Sequence, residues 1–226
     1  MSFKKITHII YDMDGVLLDT EPFYTQVNQA IAQKYGKQFD WAIKSQTMGK
    51  KSIDSARIWV KSLDLPITPE AYLAERTSKL EQLFPSAQPL PGAVRLIQHF
   101  KQQGIPQALA TSSTQHTFHL KTTHHKDWFS LFDVIFTGEA VKQGKPAPDI
   151  FLAAAQALQG SPPNCLVFED SPAGIEAAIA AKMSVVAVPD PRLDKTFCQG
   201  ADQILNSLEE FVPEQWGLPA FSSNHT

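Results

Sequence analysis

"IIYDMDGVLLDTE", residues 9–21, opens as an apolar run and closes on a series of carboxylates, Asp12, Asp14, Asp19 and Glu21. Asp12 and Asp14 fall where the apolar run ends, two residues apart, so an extended backbone sends both side chains to the same side. Two carboxylates in one crevice must shed a proton or share a cation. Gly15 follows and lets the chain turn sharply. An Asp-rich turn with no chemistry would use the same residue types, so the rest of the chain has to decide between the two.

Working outward, "QALATS", "DVIFTG", "CLVFED" and "SVVAVPD" repeat the pattern of that first run: short, rich in Val, Ile, Leu or Phe, and ending in small or acidic residues. Helical patterns separate them, among them "PGAVRLIQHFKQQG", "DIFLAAAQALQG" and "SPAGIEAAIAAKM". Strands joined by crossover helices imply an α/β fold, a doubly wound parallel sheet of Rossmann-like type. One region breaks the alternation. Residues 21–88 carry helical signals and no clear strand, which predicts an inserted all-helical cap between core segments 1–20 and 89–226. An insertion directly after a strand's carboxyl end overhangs the crevice where open α/β sheets bind ligands.

The composition sets the surroundings. With 226 residues, 43% hydrophobic and 19% charged, the chain can bury one sizeable core with room for a subdomain. A formal charge of −3 supplies no basic field, which argues against nucleic acid as a partner. Cys165 and Cys198 form neither a metal-binding pair nor a disulfide framework, as expected in a reducing cytosol. No apolar stretch is long enough to span a bilayer, so the expectation is a cytoplasmic monomer with no membrane partner and a frayed polar tail, "SSNHT".

Three more strand ends carry groups that complement the acid pair. "ALATSS" ends in Thr111, Ser112 and Ser113, small hydroxyls beside backbone N–H groups that can cradle phosphoryl oxygens. "KQGKPAPDIF" supplies Lys145, a compact cation suited to neutralising a phosphate or a phosphorylated carboxylate. "VFEDSPAGIEAA" ends in Glu169 and Asp170, hard oxygen donors of the kind Mg²⁺ requires. Each alone has a bland reading, as an N-cap, a surface lysine or a capping acid. Their joint appearance at successive strand ends is harder to assign to chance.

The ordered set "DMDGVLLDTE", "ATSS", "GKPAPDIF" and "FEDSPAGIEAA" resembles the four motifs of the haloacid dehalogenase superfamily, specifically its Mg²⁺-dependent phosphohydrolases with a helical cap. The resemblance spans nearly the whole chain. Stretches such as "MGKKS", "LKTTHHKDWFSLF" and "LNSLEEFVPEQWGLP" are similar to the pseudouridine-5'-phosphatase and β-phosphoglucomutase-like branch. The resemblance implies hydrolysis of a small phosphorylated metabolite, a nucleoside or sugar phosphate, with Asp12 attacking phosphorus to form an aspartyl-phosphate. It implies Mg²⁺ held by Asp12, the carbonyl of Asp14, Asp170 and, directly or through water, Glu169. Asp14 would be the general acid and base, its proton affinity raised by anionic Asp12. Thr111, Ser112 and Lys145 would hold phosphoryl oxygens, and Glu21, Gly49 and Lys50 would choose the substrate from the cap. Asp19 would brace the loop or cap the first cap helix.

Two other functions fit the same core. A β-phosphoglucomutase-type phosphosugar mutase shares all four motifs, although Tyr24 and "GKKSID" stand where the resemblance would place a histidine and an arginine. A noncatalytic binding or scaffold protein would keep the fold but has no need of Asp12, Asp14, Lys145 and Asp170 together. His116, His119, His124 and His125 invite a transition-metal reading, but no acid or cysteine lies among them, and a polar helix at the cleft rim is expected instead. Trp41, Trp59 and Phe39 are expected in the cap core.

Overall fold

A computed structural model describes residues 5–47, 50 and 52–221; Gly49 and the tail over residues 222–226 lie outside the described residues. Six parallel strands, β1 (His8–Tyr11), β2 (Gln107–Ala110), β3 (Val134–Phe136), β4 (Cys165–Glu169), β5 (Ser184–Ala187) and β6 (Gln203–Ile204), form one sheet in the order β3-β2-β1-β4-β5-β6. The first five are the apolar runs of the sequence. The inner ones, β1, β2, β4 and β5, read as continuous apolar segments because both faces are covered, whereas β3, at the sheet edge, leaves Ile135 exposed. Side chains alternate accordingly: Ile9, Tyr11, Leu109 and Phe168 join one core, while Ile10, Ala108, Ala110 and Val167 join the other.

The helices follow the expected order, with additions. α1 (Glu21–Lys34), α2 (Trp41–Thr47), α3 (Ser52–Ser62) and α4 (Pro69–Leu83) lie between β1 and β2, followed by α5 (Ala93–Gln102). After β2 come α6 (Gln115–Lys121) and the short α7 (Lys126–Phe129); α8 (Asp149–Ala157) leads to β4 and α9 (Pro172–Ala180) to β5. Local chemistry sets the starts of several. Thr68 accepts a hydrogen bond from the Ala71 N–H ahead of Pro69, and Ser171 does the same for Gly174 ahead of Pro172. The residues α1–α4 contribute build a third apolar cluster around the fully buried Trp59. Phe39 stacks on Trp59 at 5.6 Å, as expected for a core pair. Trp41 behaves differently: Arg192, from the loop after β5, lies 4.4 Å from its ring.

The chain leaves β1 for α1 through a tight turn. Gly15 adopts φ +80°, and the N–H groups of Leu17 and Leu18 both donate to the Met13 carbonyl. The outgoing and returning strands of chain then pair, Asp19 N–H to the Gln88 carbonyl and Leu90 N–H to that of Leu17, both at 2.9 Å. Asp19 is exposed and the N-cap position of α1 falls to Thr20, so the expected capping role is not seen. Because β2 and β4 flank β1 and the strand order reverses there, Asp12 exits at the topological switch point of the sheet.

Candidate active site

Strand register gathers the site. Tyr11 is level with Leu109 on one side and Phe168 on the other, so the residues following β1, β2 and β4 emerge together. Asp12 N–H extends the ladder to the Phe168 carbonyl, and Thr111 N–H to that of Phe136. A cavity of about 360 Å³ opens over these ends, with Asp12, Asp14, Thr111, Ser112 and Asp170 on its floor. Glu21, Lys50 and Arg76 are among the residues lining it from the α1–α4 side.

Lys145 is the centre of charge. Its ammonium, with the side chain only 1% exposed, lies 2.6 Å from Asp12 Oδ1 and 2.6 Å from Glu169 Oε1. Burial pulls its pKa down, but the two carboxylates more than offset this, so the lysine is held protonated. Asp12 is pushed up to about 7, by burial above all, with Lys145 opposing and Glu169 and Asp14 adding to the rise. Asp170 is raised well above the carboxylate range by burial, then by Glu169, Asp12 and Glu21.

Glu169, expected as a cation ligand directly or through water, is held on all sides. Its Oε2 accepts from the N–H groups of Asp170 and Ser171 and from Ser171 Oγ, each at 2.9 Å, while Oε1 receives Lys145. Both oxygens take hydrogen bonds and the residue is fully buried, so Glu169 braces Lys145. Its carboxylate packs against Gly174 so closely that a Cβ there would overlap it.

Asp14 corrects an expectation. Thr20 Oγ1 donates to its Oδ1 at 2.6 Å, Lys121 Nζ to Oδ1 at 2.7 Å and Ser113 Oγ to Oδ2 at 2.9 Å. Burial favours the neutral acid, but Lys121 and these hydrogen bonds prevail and the pKa is lowered. The expected rise driven by Asp12 is therefore overruled by a lysine that the sequence reading passed over. Lys121 closes "QHTFHLK", three residues after Phe118 on the buried side of α6, which was the one available signal.

The remaining expected residues divide. Thr111 is buried, its Oγ1 accepting from Ser113 N–H at 3.1 Å, and Ser112 lines the cavity. Glu21 pairs with Lys44 at 2.7 Å. The histidines scatter: His116 meets Glu81 at 3.1 Å, His125 is buried against the Ala87 carbonyl, and His119 and His124 are exposed. Among the described residues no group of three or more His, Cys, Asp or Glu side chains surrounds one point.

Comparison with known proteins gives the family. The family model of haloacid dehalogenase-like hydrolases matches residues 6–182. (DL)-glycerol-3-phosphatase 2 of Arabidopsis thaliana is 48% identical over 97% of this chain and 95% of its own length. A probable pseudouridine-5'-phosphatase of Drosophila melanogaster is 47% identical over 97% of each chain. The crystal structure of β-phosphoglucomutase from Clostridium difficile superposes with a TM-score of 0.78 at 23% identity, covering 94% of this chain and 97% of that one, a likeness of fold. No helix among the described residues is long and apolar enough to cross a membrane. The chain belongs to the haloacid dehalogenase-like hydrolases and is a phosphoric monoester hydrolase of that family.

Proposed function

We propose that the enzyme hydrolyses a short polyol phosphate, of the size of glycerol 3-phosphate, through an aspartyl-phosphate on Asp12, with α1–α4 acting as a cap over the site. The observation that carries the reading is the Asp12–Lys145–Glu169 arrangement, in which a buried ammonium sits 2.6 Å from the carboxylate proposed to attack. Lys145 offsets the charge of Asp12 and of an arriving phosphate, which otherwise repel. Thr111 and Ser112 line the same floor, and in this reading Thr111 and the backbone around Ser112 hold the phosphoryl oxygens. Asp14 serves as the proton carrier: the charged form that Lys121 favours takes a proton from the hydrolytic water, and the minor protonated form gives one to the leaving alkoxide.

The donor set fits a divalent cation. Asp12 and Asp170 are buried carboxylates, both raised in pKa, and such a pair is relieved by a hard cation taking oxygen ligands. Asp12, Asp170 and the Asp14 carbonyl would hold Mg²⁺, with water completing the shell. When bound, the ion supplies electrostatic shielding between nucleophile and phosphate.

Substrate size follows from the cavity wall. Its described Phe, Tyr and Trp residues are Tyr24 and Phe84. Tyr24 lies edge-on to Phe84 at 5.8 Å and carries Arg76 at 4.9 Å, and Phe84 is 3% exposed. Phe84 is too buried to stack a nucleobase, and Arg76 occupies one face of Tyr24. A volume of about 360 Å³ also sits toward the small end for ligand sites. The test is kcat/KM with Mg²⁺ for glycerol 3-phosphate and pseudouridine 5'-phosphate side by side. The polyol phosphate is expected to lead by about tenfold or more; a lead for the nucleotide would reverse the substrate assignment. β-Glucose 1-phosphate with a catalytic bisphosphate is expected to yield free phosphate only, and glucose 6-phosphate would install the mutase reading.

A further inference from the structure

Lys121 has no direct part in the chemistry described so far, yet its ammonium is buried, the side chain 1% exposed. All three of its donors are used: Asp14 Oδ1 at 2.7 Å, Tyr24 Oη at 2.8 Å and Ser113 Oγ at 2.8 Å. Ser113 in turn donates to the other oxygen of Asp14, at 2.9 Å, closing a ring of three side chains. The ammonium also stands 4.4 Å from the Phe84 ring centre. Lys121 and Ser113 belong to the core, whereas Tyr24 is on α1 and Phe84 follows α4. Burying a cation is costly unless its partners are fixed in place, and here two of those partners come with the cap.

We propose that Lys121 is a positioning residue that fixes the Asp14 carboxylate for the second half of the reaction, and that Tyr24 ties this arrangement to the docked cap. The proposal rests on the aspartyl-phosphate reading above. In the step concerned, the water oxygen bonds to phosphorus and the bond from phosphorus to the Asp12 oxygen breaks, returning Asp12 as a carboxylate. The water's proton passes to Asp14 and from there to solvent. A carboxylate held at both oxygens, by Lys121 and Thr20 on one and Ser113 on the other, meets that water in one orientation.

p-Nitrophenyl phosphate separates the two halves, because nitrophenolate leaves with little need of a proton. For Lys121→Met, kcat is expected to fall about tenfold with KM falling alongside, while kcat/KM stays within about twofold. Rapid mixing should show a stoichiometric burst of nitrophenolate followed by slow turnover. Tyr24→Phe, which removes one hydroxyl, is expected to show the same split in weaker form, and it keeps the test available if the lysine variant does not fold. Equal losses in kcat and kcat/KM, or no change in either, would overturn the proposal. Asp14→Asn run in parallel separates the failures. If it leaves kcat unchanged, the acid–base reading itself is wrong; if it gives the burst and the Lys121 and Tyr24 variants do not, only the positioning role is lost.

Discussion

Glu169 and Lys145 meet at 2.6 Å with both side chains 1% exposed, an ion pair shut inside the protein. One ammonium thus serves two acids, and Glu169 holds it where Asp12 can use it. Glu169→Gln is expected to cost about 3 kcal/mol of stability, since it breaks a buried pair from one side. The Mg²⁺ concentration for half-maximal activity should shift less than in Asp170→Asn. Thermal unfolding and a Mg²⁺ titration of both variants check this; an equal or larger shift for Glu169→Gln would place it among the metal ligands.

Gly174 leaves room for that carboxylate. It lies inside α9, where alanine normally gains about 1 kcal/mol over glycine. Here the added Cβ meets Glu169, which is fully buried and cannot withdraw. Gly174→Ala is expected to lose about 1–3 kcal/mol instead, with activity falling as Lys145 is displaced. A rise in Tm would show that the contact is unimportant.

The effect of Mg²⁺ on stability should depend on pH. Without a cation Asp12 is raised to about 7, so the folded state binds its proton more tightly than the unfolded chain does. A raised carboxylate contributes stability at low pH that is lost as pH climbs through the folded value. Asp170 acts in the same direction. The Tm gain on adding Mg²⁺ should therefore be larger at pH 8 than at pH 5.5, and metal binding should release protons near neutral pH. Calorimetry in buffers of different ionisation enthalpy measures the release; an equal Tm gain at both pH values would contradict the shared-cation reading.

Much of this architecture was legible in the sequence because parallel strands announce themselves as short apolar runs with functional residues at their ends. β6, only Gln203–Ile204, has no such run, and α2 is too short and polar to signal itself. Two features of the site that the sequence did not show have definite causes. Glu169 and Asp170 are neighbours at a strand end, and their sequence alone does not tell that Glu169 reaches Lys145 and the N–H groups of Asp170 and Ser171. Asp14 was misread because its counter-ion lies 107 residues away, and no local pattern brings Lys121 to it.

Arg76 offers a test of substrate choice. It lines the cavity from α4, held by Asn28 Oδ1 at 3.0 Å and set over the Tyr24 ring. Its remaining N–H groups suit a substrate hydroxyl. Arg76→Ala is expected to raise KM for glycerol 3-phosphate about tenfold with a smaller change in kcat, and to affect p-nitrophenyl phosphate less. Equal effects on both substrates would move Arg76 from leaving-group recognition to general support of the cap.

The most direct measurement is capture of the phosphorylated enzyme. Glycerol 3-phosphate labelled in the phosphoryl group, mixed rapidly with enzyme and Mg²⁺ and quenched in acid, should leave label on the protein. Borohydride reduction and peptide mass spectrometry should then place the modification at Asp12, and Asp12→Asn should show neither label nor turnover. Label on another residue, or undiminished hydrolysis by Asp12→Asn, would mean that Asp12 is not the nucleophile.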